Sequence, residues 1–409
     1  MKPSFSRSAK LFLSASILFG IAFSIWELFF NLYILSSGFD KDFLGLIRAV
    51  SPLASLLLGL PLGKLADRIG HRKAMLIGLA IGLSGMFFQI VLQDRWLIIL
   101  MGAIQGTGLM LYRVATAPFI METSNEHNRT LYFSLNFSLM TFAGMVGNLV
   151  AGQLPGFAGI ILNTSSNSAA AYQLVILAGV VLGATCLIPI IMIKESQAQK
   201  DNPQNLLSPI LSIKELFSRK IIRQLFVINT FVGLGAVLLI PYLNVFFREV
   251  HDLSDQALGV LYSLSSLLVM IGSFSAPWLA RKLRSKIIAT NLTQAVSIIF
   301  LLFLGFSPWL WLAQLSFLLR TVFMQLSSPL LENFAMEVSP PGQQSTIASI
   351  RGMGWQVGQA FGLYISGLVQ MRYGFGPLFI TTAILYIISI FLAWFNFRPM
   401  EKELARARS

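Results

Sequence analysis

The sequence predicts an all-α integral membrane protein with 12 transmembrane helices arranged as two pseudo-symmetric six-helix bundles. Three observations carry that expectation. The chain of 409 residues is 55% hydrophobic and only 11% charged, with a mean hydropathy of +0.72, whereas soluble domains are about a quarter charged. Apolar runs of about 20 residues, long enough to cross a bilayer as helices, recur along its whole length. A charge-dense run, Gly63-Lys-Leu-Ala-Asp67-Arg68-Ile-Gly70-His71-Arg72-Lys73, separates two of these runs, and an altered copy lies at 277–287.

The apolar runs place spans at 10–36, 42–66, 73–93, 95–121, 129–154, 170–193, 221–247, 255–280, 286–306, 308–336, 343–370 and 374–397. The first follows Lys2, Arg7 and Lys10 and is too long for a signal-peptide core, so it reads as an uncleaved spanning helix. Most of the 30 Lys and Arg fall in the tails and in alternate loops, near 64–73, 129, 194–223 and 281–286. The opposite loops hold only Lys41, Arg95, Arg248 and Arg372. This asymmetry predicts both termini on the cytoplasmic side of a plasma or inner membrane.

The polar stretch at 194–220 reads as a cytoplasmic linker between an N-terminal bundle, 1–193, and a C-terminal bundle, 221–409. The halves repeat in direct order. Asn31 aligns with Asn244, Gly45 with Gly259, Gly63 with Pro277, Pro118 with Pro329, and Gly147 and Gly152 with Gly362 and Gly367.

Several function classes are excluded. The net charge of +13 sits in short clusters between apolar runs and makes no continuous face for nucleic acid. The single cysteine, Cys186, permits no internal disulfide. No glycine-rich loop ending in Lys-Ser or Lys-Thr is present to bind a nucleotide. His71, His127 and His251 are scattered, and no nucleophile–base arrangement stands out. No enzyme, metal or cofactor is expected.

Charges inside spans are the functional candidates, because each costs about 2.5–3.5 kcal/mol at a helix centre. Glu27 is the one deep carboxylate. Asn31 lies one turn further on, with Gly20 and Ser24 on the same face. A carboxylate in such a cavity is suited to load and release a proton or to bind substrate; the alternative is a structural pair with an arginine. Arg113 and Arg320 lie well inside helices 4 and 10. Arg48 and Arg351 lie nearer the ends, where Arg48 is able to snorkel outward and Arg351 to pair with Glu332, Glu337 or Asp67. An excess of arginine in the cavity favours anionic substrates. Gln105, Tyr112, Trp355 and Gln359 are further cavity candidates, the last two one turn apart on helix 11.

The spans, the repeat and the run at Gly63–Lys73 together resemble the major facilitator superfamily of secondary transporters, over nearly the whole chain. The family's signature between helices 2 and 3 reads roughly G-x-L-a-D-R-x-G-R/K-R/K. Gly63, Leu65, Ala66, Asp67, Arg68, Gly70 and Arg72 fit it, and His71 replaces a basic residue. The resemblance implies alternating access, with this run latching the outward-facing state: Gly63 permitting close helix approach, Gly70 a tight turn, Asp67 facing a helix N-terminus, and Arg68 and Arg72 pairing with acids such as Glu122. The antiporters' helix 5 signature is partly kept, as Ala143-Gly-Met-Val-Gly147-Asn148-Leu-Val-Ala151-Gly152, without its proline. On helix 4, Gln105-Gly106 is present, but Gly102 stands where the family has arginine.

The function implied is proton-coupled efflux of a small amphipathic or anionic molecule by a monomer in the lipid bilayer. The alternatives are a proton symporter or facilitator for uptake of a metabolite such as a sugar or organic anion, and a non-transporting membrane sensor.

Overall fold

The computed structural model describes residues 6–124, 128–194, 220–273, 275–338 and 344–408. The linker expected at 194–220 falls, apart from its two end residues, outside them. Among the described residues all regular structure is helical. The chain forms two compact units, Met1–Ser212 with Leu253–Ser263, and Ile213–Asp252 with Leu264–Ser409.

In the first unit, α1 (Arg7–Ser36) is 30 residues long, about 45 Å. The Ser6 hydroxyl caps it by accepting from the Ala9 N–H at 3.1 Å. Helices α2 (Lys41–Ile69), α3 (His71–Val91) and α4 (Arg95–Thr123) follow. The fifth span is built from α5 (Arg129–Ala151) and α6 (Leu154–Leu162), and the sixth from α7 (Ala169–Ala184) and α8 (Leu187–Ile191). The fifth span thus runs beyond its expected end, to Asn163, whose left-handed φ of 52° stops it.

The seventh span comprises α9 (Lys220–Leu239), a 3-10 turn (Ile240–Tyr242) and α10 (Leu243–His251); Pro241, lacking an N–H, sits at the break. Then come α11 (Asp255–Ser273), α12 (Ala276–Leu283), α13 (Lys286–Phe306), α14 (Leu310–Glu337), α15 (Gln344–Tyr373) and α16 (Gly376–Arg408). Among the described residues, 11 helical stretches are long and apolar enough to cross a membrane. The span expected at 343–370 forms α15, a helix of 30 residues. Arg351, Gln356, Gln359 and Gln370 make it more polar than the others.

The pairing order repeats. In the first unit α1 packs on α5 and α7, and α3 on α4 and α7; in the second, α9 packs on α15 and α16, and α13 on α14 and α16. Counted as spans, 1–5, 1–6, 3–4 and 3–6 recur as 7–11, 7–12, 9–10 and 9–12. Small residues permit the closest of these contacts. A methyl added at Gly85 would lie 2.6 Å from the Gln105 nitrogen, and one at Gly108 would collide with the Gly82 backbone. Between α9 and α15, a methyl at Gly358 would lie 2.5 Å from the Leu234 nitrogen.

Residues 253–263 belong to the first unit through contacts of the same kind. A methyl on Gly259 would come 2.7 Å from the Gly152 Cα, and the buried Asp255 accepts a hydrogen bond from the Tyr172 hydroxyl at 3.0 Å.

The charge-dense run is not the extended basic loop the sequence suggested. Helix α2 continues to Ile69 and α3 begins at His71, leaving Gly70 at φ 90° as the whole connection. Such a backbone is open to glycine and strained for other residues. Gly63, expected to permit close helix approach, has no described atom within 4 Å of where its Cβ would lie; that stretch of α2 faces open space. In the second copy, Arg284 occupies the turn position with φ 50°.

Two measurements follow. In detergent, Gly70→Ala is expected to lower unfolding stability by about 1–3 kcal/mol, whereas Arg284→Gly should raise it by about 1 kcal/mol. Gly108→Val should cost about 1–3 kcal/mol by forcing α4 off α3; unchanged melting would contradict the close contact.

Candidate functional site

Glu27 lies 20 residues along α1 and Arg48 seven residues into α2. The helices bring them together: Arg48 Nη1 is 3.0 Å from Glu27 Oε1, and Arg48 Nε donates to Asn31 Oδ1 at 2.7 Å. Glu27 and Asn31 are one turn apart, so a single guanidinium spans both acceptors. The Arg48 side chain is 11% exposed and that of Glu27 41%. The guanidinium also lies 5.3 Å from the centre of the Phe30 ring. Arg48 therefore turns inward instead of snorkelling outward, because α1 presents it with a carboxylate and an amide oxygen. Its Nη2 is buried without a partner.

Arg113, on α4, has an exposed side chain and lies within electrostatic reach of Glu27. The first unit thus assembles one carboxylate with two guanidinium groups. Tyr112 is buried beside Arg113 and packs on Phe19, ring centres 5.4 Å apart. Gln105, expected as a cavity residue, is instead buried in the α3–α4 contact, where it accepts from Gln89 Nε2 at 2.7 Å. The glycines flanking that contact bring the helices so close that the two amides satisfy each other.

In the second unit, Arg320 on α14 is buried and donates from Nη2 to the Tyr386 hydroxyl at 2.9 Å. The Trp355 backbone packs where a methyl on Gly233 would lie, and its ring is 36% exposed. Gln359, one turn on along α15, is partly exposed. Arg351 lies within electrostatic reach of Glu332.

The expected latch residues adopt a different network from the one anticipated. Asp67 Oδ1 lies 3.1 Å from Nε2 of His71, the first residue of α3. Glu122 is held by His71 Nδ1 at 2.7 Å, not by an arginine. Both ring nitrogens of His71 thus face a carboxylate oxygen. Arg72 donates from Nε to the Ile190 carbonyl at 3.2 Å and from Nη2 to that of Ile191 at 2.6 Å, capping α8 at its C-terminal end, where cations are favoured. Arg68 is exposed. Histidine wins the acids because it sits at the first position of α3, one turn from Asp67 and opposite the C-terminal end of α4.

Two participants were not picked out from the sequence: His71 as a bridge, and Tyr386. Arg48 was legible as an in-span arginine, but its pairing with the stripe of Glu27 and Asn31 needed the rotation of α2 against α1.

The family model described as Major Facilitator Superfamily matches residues 11–362. The Multidrug resistance protein MdtG of Dickeya zeae (strain Ech586) is 25% identical over 391 residues, covering 93% of this chain and 91% of that protein. Among solved structures, a point mutant of the nucleoside transporter NupG superposes with a TM-score of 0.77 at 16% identity, covering 96% of this chain and 100% of the other. A bacterial homologue of the lysosomal transporter Spinster, inward-facing and unoccupied, gives 0.76 at 14% identity, with 97% of each chain covered. With the family model matched across most of its length and the same helical fold in these transporters, the chain belongs to the Major Facilitator Superfamily.

Proposed function

We propose that this multi-pass membrane protein exports a small amphipathic or anionic molecule in exchange for protons, working by alternating access as a monomer in the inner membrane with both termini cytoplasmic. The cluster of Glu27, Arg48 and Asn31 carries the reading. Its carboxylate is partly open while its arginine is largely enclosed, so solvent reaches the cluster through Glu27. Protonating Glu27 cancels the attraction at 3.0 Å and leaves Arg48 with Asn31. Restoring the ion pair expels the proton. A cargo that competes with the proton for this cluster is exchanged against it. Arg113 supplies an exposed cation on α4 for such a cargo. The likeness to a multidrug resistance protein supports export.

A second reading rests on the charge count of the same cluster. Two guanidinium groups and one carboxylate carry a net +1, and +2 once Glu27 is protonated. A strongly anionic cargo would bind together with the proton, which is symport.

The network of Asp67, His71 and Glu122 is proposed to lock the inner ends of α2, α3 and α4 together during gating, with Gly70 as the turn and Arg72 tying α8 to α3. Arg68 is left to engage what the exposed inner surface meets.

Reconstituted protein given an imposed pH gradient should move ethidium, an amphipathic dye, or benzoate, a monocarboxylate, in a gradient-dependent way. Glu27→Gln should abolish the gradient dependence while leaving the folded yield unchanged. Wild-type pH dependence in that variant would remove Glu27 from the coupling, and an unresponsive wild type across a broad panel would favour a non-transporting role. His71→Ala should lower stability by about 1 kcal/mol or less, because both acids lose a hydrogen-bond partner at a partly exposed site. His71→Arg should restore most of that loss.

A further inference from the structure

We infer that Arg320 and Tyr386 form an anion-binding site inside the second unit, taking a halide or the oxyanion of a carboxylate near the membrane midplane. Arg320 lies ten residues along α14 from Leu310, about 15 Å into the bilayer, and is 2% exposed. A guanidinium carries five N–H donors. Among the described residues this one makes a single hydrogen bond, from Nη2 to the Tyr386 hydroxyl at 2.9 Å, and its Nε is buried without a partner.

No described carboxylate neutralises it. Glu332 is twelve residues further along the same helix, about 18 Å away. Glu337 pairs with Lys286 at 2.6 Å and Glu401 with Arg398 at 2.7 Å, both at the inner end of the unit. Glu249 and Asp252 lie at the far end of α10. Arg48 in the first unit has its Glu27; Arg320 has a phenol. A charge enclosed in this way is costly without a counter-charge, and a guanidinium with free donors recognises anions more strongly than any neutral group.

The surroundings are built to complete such a site. One turn before Arg320, Ser316 is fully buried with an unpartnered hydroxyl; one turn after Tyr386, Ser389 is equally buried and unpartnered. The ring of Tyr386 is fixed by α9, since a methyl on Gly235 would come 2.8 Å from its Cε1. The Arg320 backbone carbonyl is held by the Ser297 hydroxyl at 3.1 Å, which ties α13 to α14. The phenol hydroxyl can accept from Arg320 and donate onward, so guanidinium and phenol offer donors from two helices.

The test is thermal unfolding of the full chain in nanodiscs, titrated with sodium chloride or sodium formate against matched additions of sodium gluconate, a large hydrophilic anion. A saturable rise in melting temperature over the gluconate control is expected. A response to chloride alone identifies an inorganic ion; a response to formate identifies the carboxylate of a cargo. Tyr386→Phe, which keeps the ring, should weaken the apparent affinity about ten-fold, as for loss of a hydrogen bond in a charged network, and Arg320→Gln should abolish the saturable response. Should Arg320→Gln fail to fold, Tyr386→Phe decides. The inference is overturned if neither anion gives a saturable rise, or if Tyr386→Phe responds as wild type does. Glu27→Gln should keep the response, so failure of the proton-coupling proposal is read separately. A response lost in Glu27→Gln but kept in Tyr386→Phe would place the anion in the first unit and also overturn the inference.

Discussion

A charge placed in hydrocarbon must be answered within a few ångströms, and that requirement organises the interior of this protein. Arg48 illustrates the simplest answer: a carboxylate and an amide oxygen on one face of α1 receive it at 3.0 and 2.7 Å. Arg113 is answered at longer range, by the field of the same carboxylate. Arg320 is answered by a phenol at 2.9 Å, which supplies a dipole but no charge. The three arginines grade from paired to uncompensated, and the grading assigns them different duties.

Packing supplies the frame in which those charges are held. Between α3 and α4 the backbones approach so closely that a methyl has no room at 78, 85 and 108. The contact between α9 and α15 uses glycine at 233, 354 and 358 in the same way. Because lipid chains are as apolar as leucine, bulky side chains gain little by choosing protein over lipid, and close backbone approach does the sorting. The glycine-rich pairs are therefore the rigid seams of each unit.

Local signals in the sequence told the truth where one helix held all the information. The polar stripe of Glu27 and Asn31 was visible because four residues make a helical turn. The turn at Gly70 was visible because glycine has a permissive backbone. What needed the rotation of one helix against another stayed hidden. Gln105 looked like a cavity residue because its partner, Gln89, lies on another helix. Glu122 looked like an arginine's partner because His71, 51 residues earlier, is adjacent only in space. The length of α2 was underestimated because charges inside a helix end resemble a loop when read one residue at a time.

The two bonds from Arg72 to the final carbonyls of α8 have a consequence for fraying. They pin the last turn of the sixth span to the first turn of the third, so neither helix end opens alone. A helix of five residues has too few internal bonds to hold its own terminus. A single guanidinium thus decides where the sixth span stops.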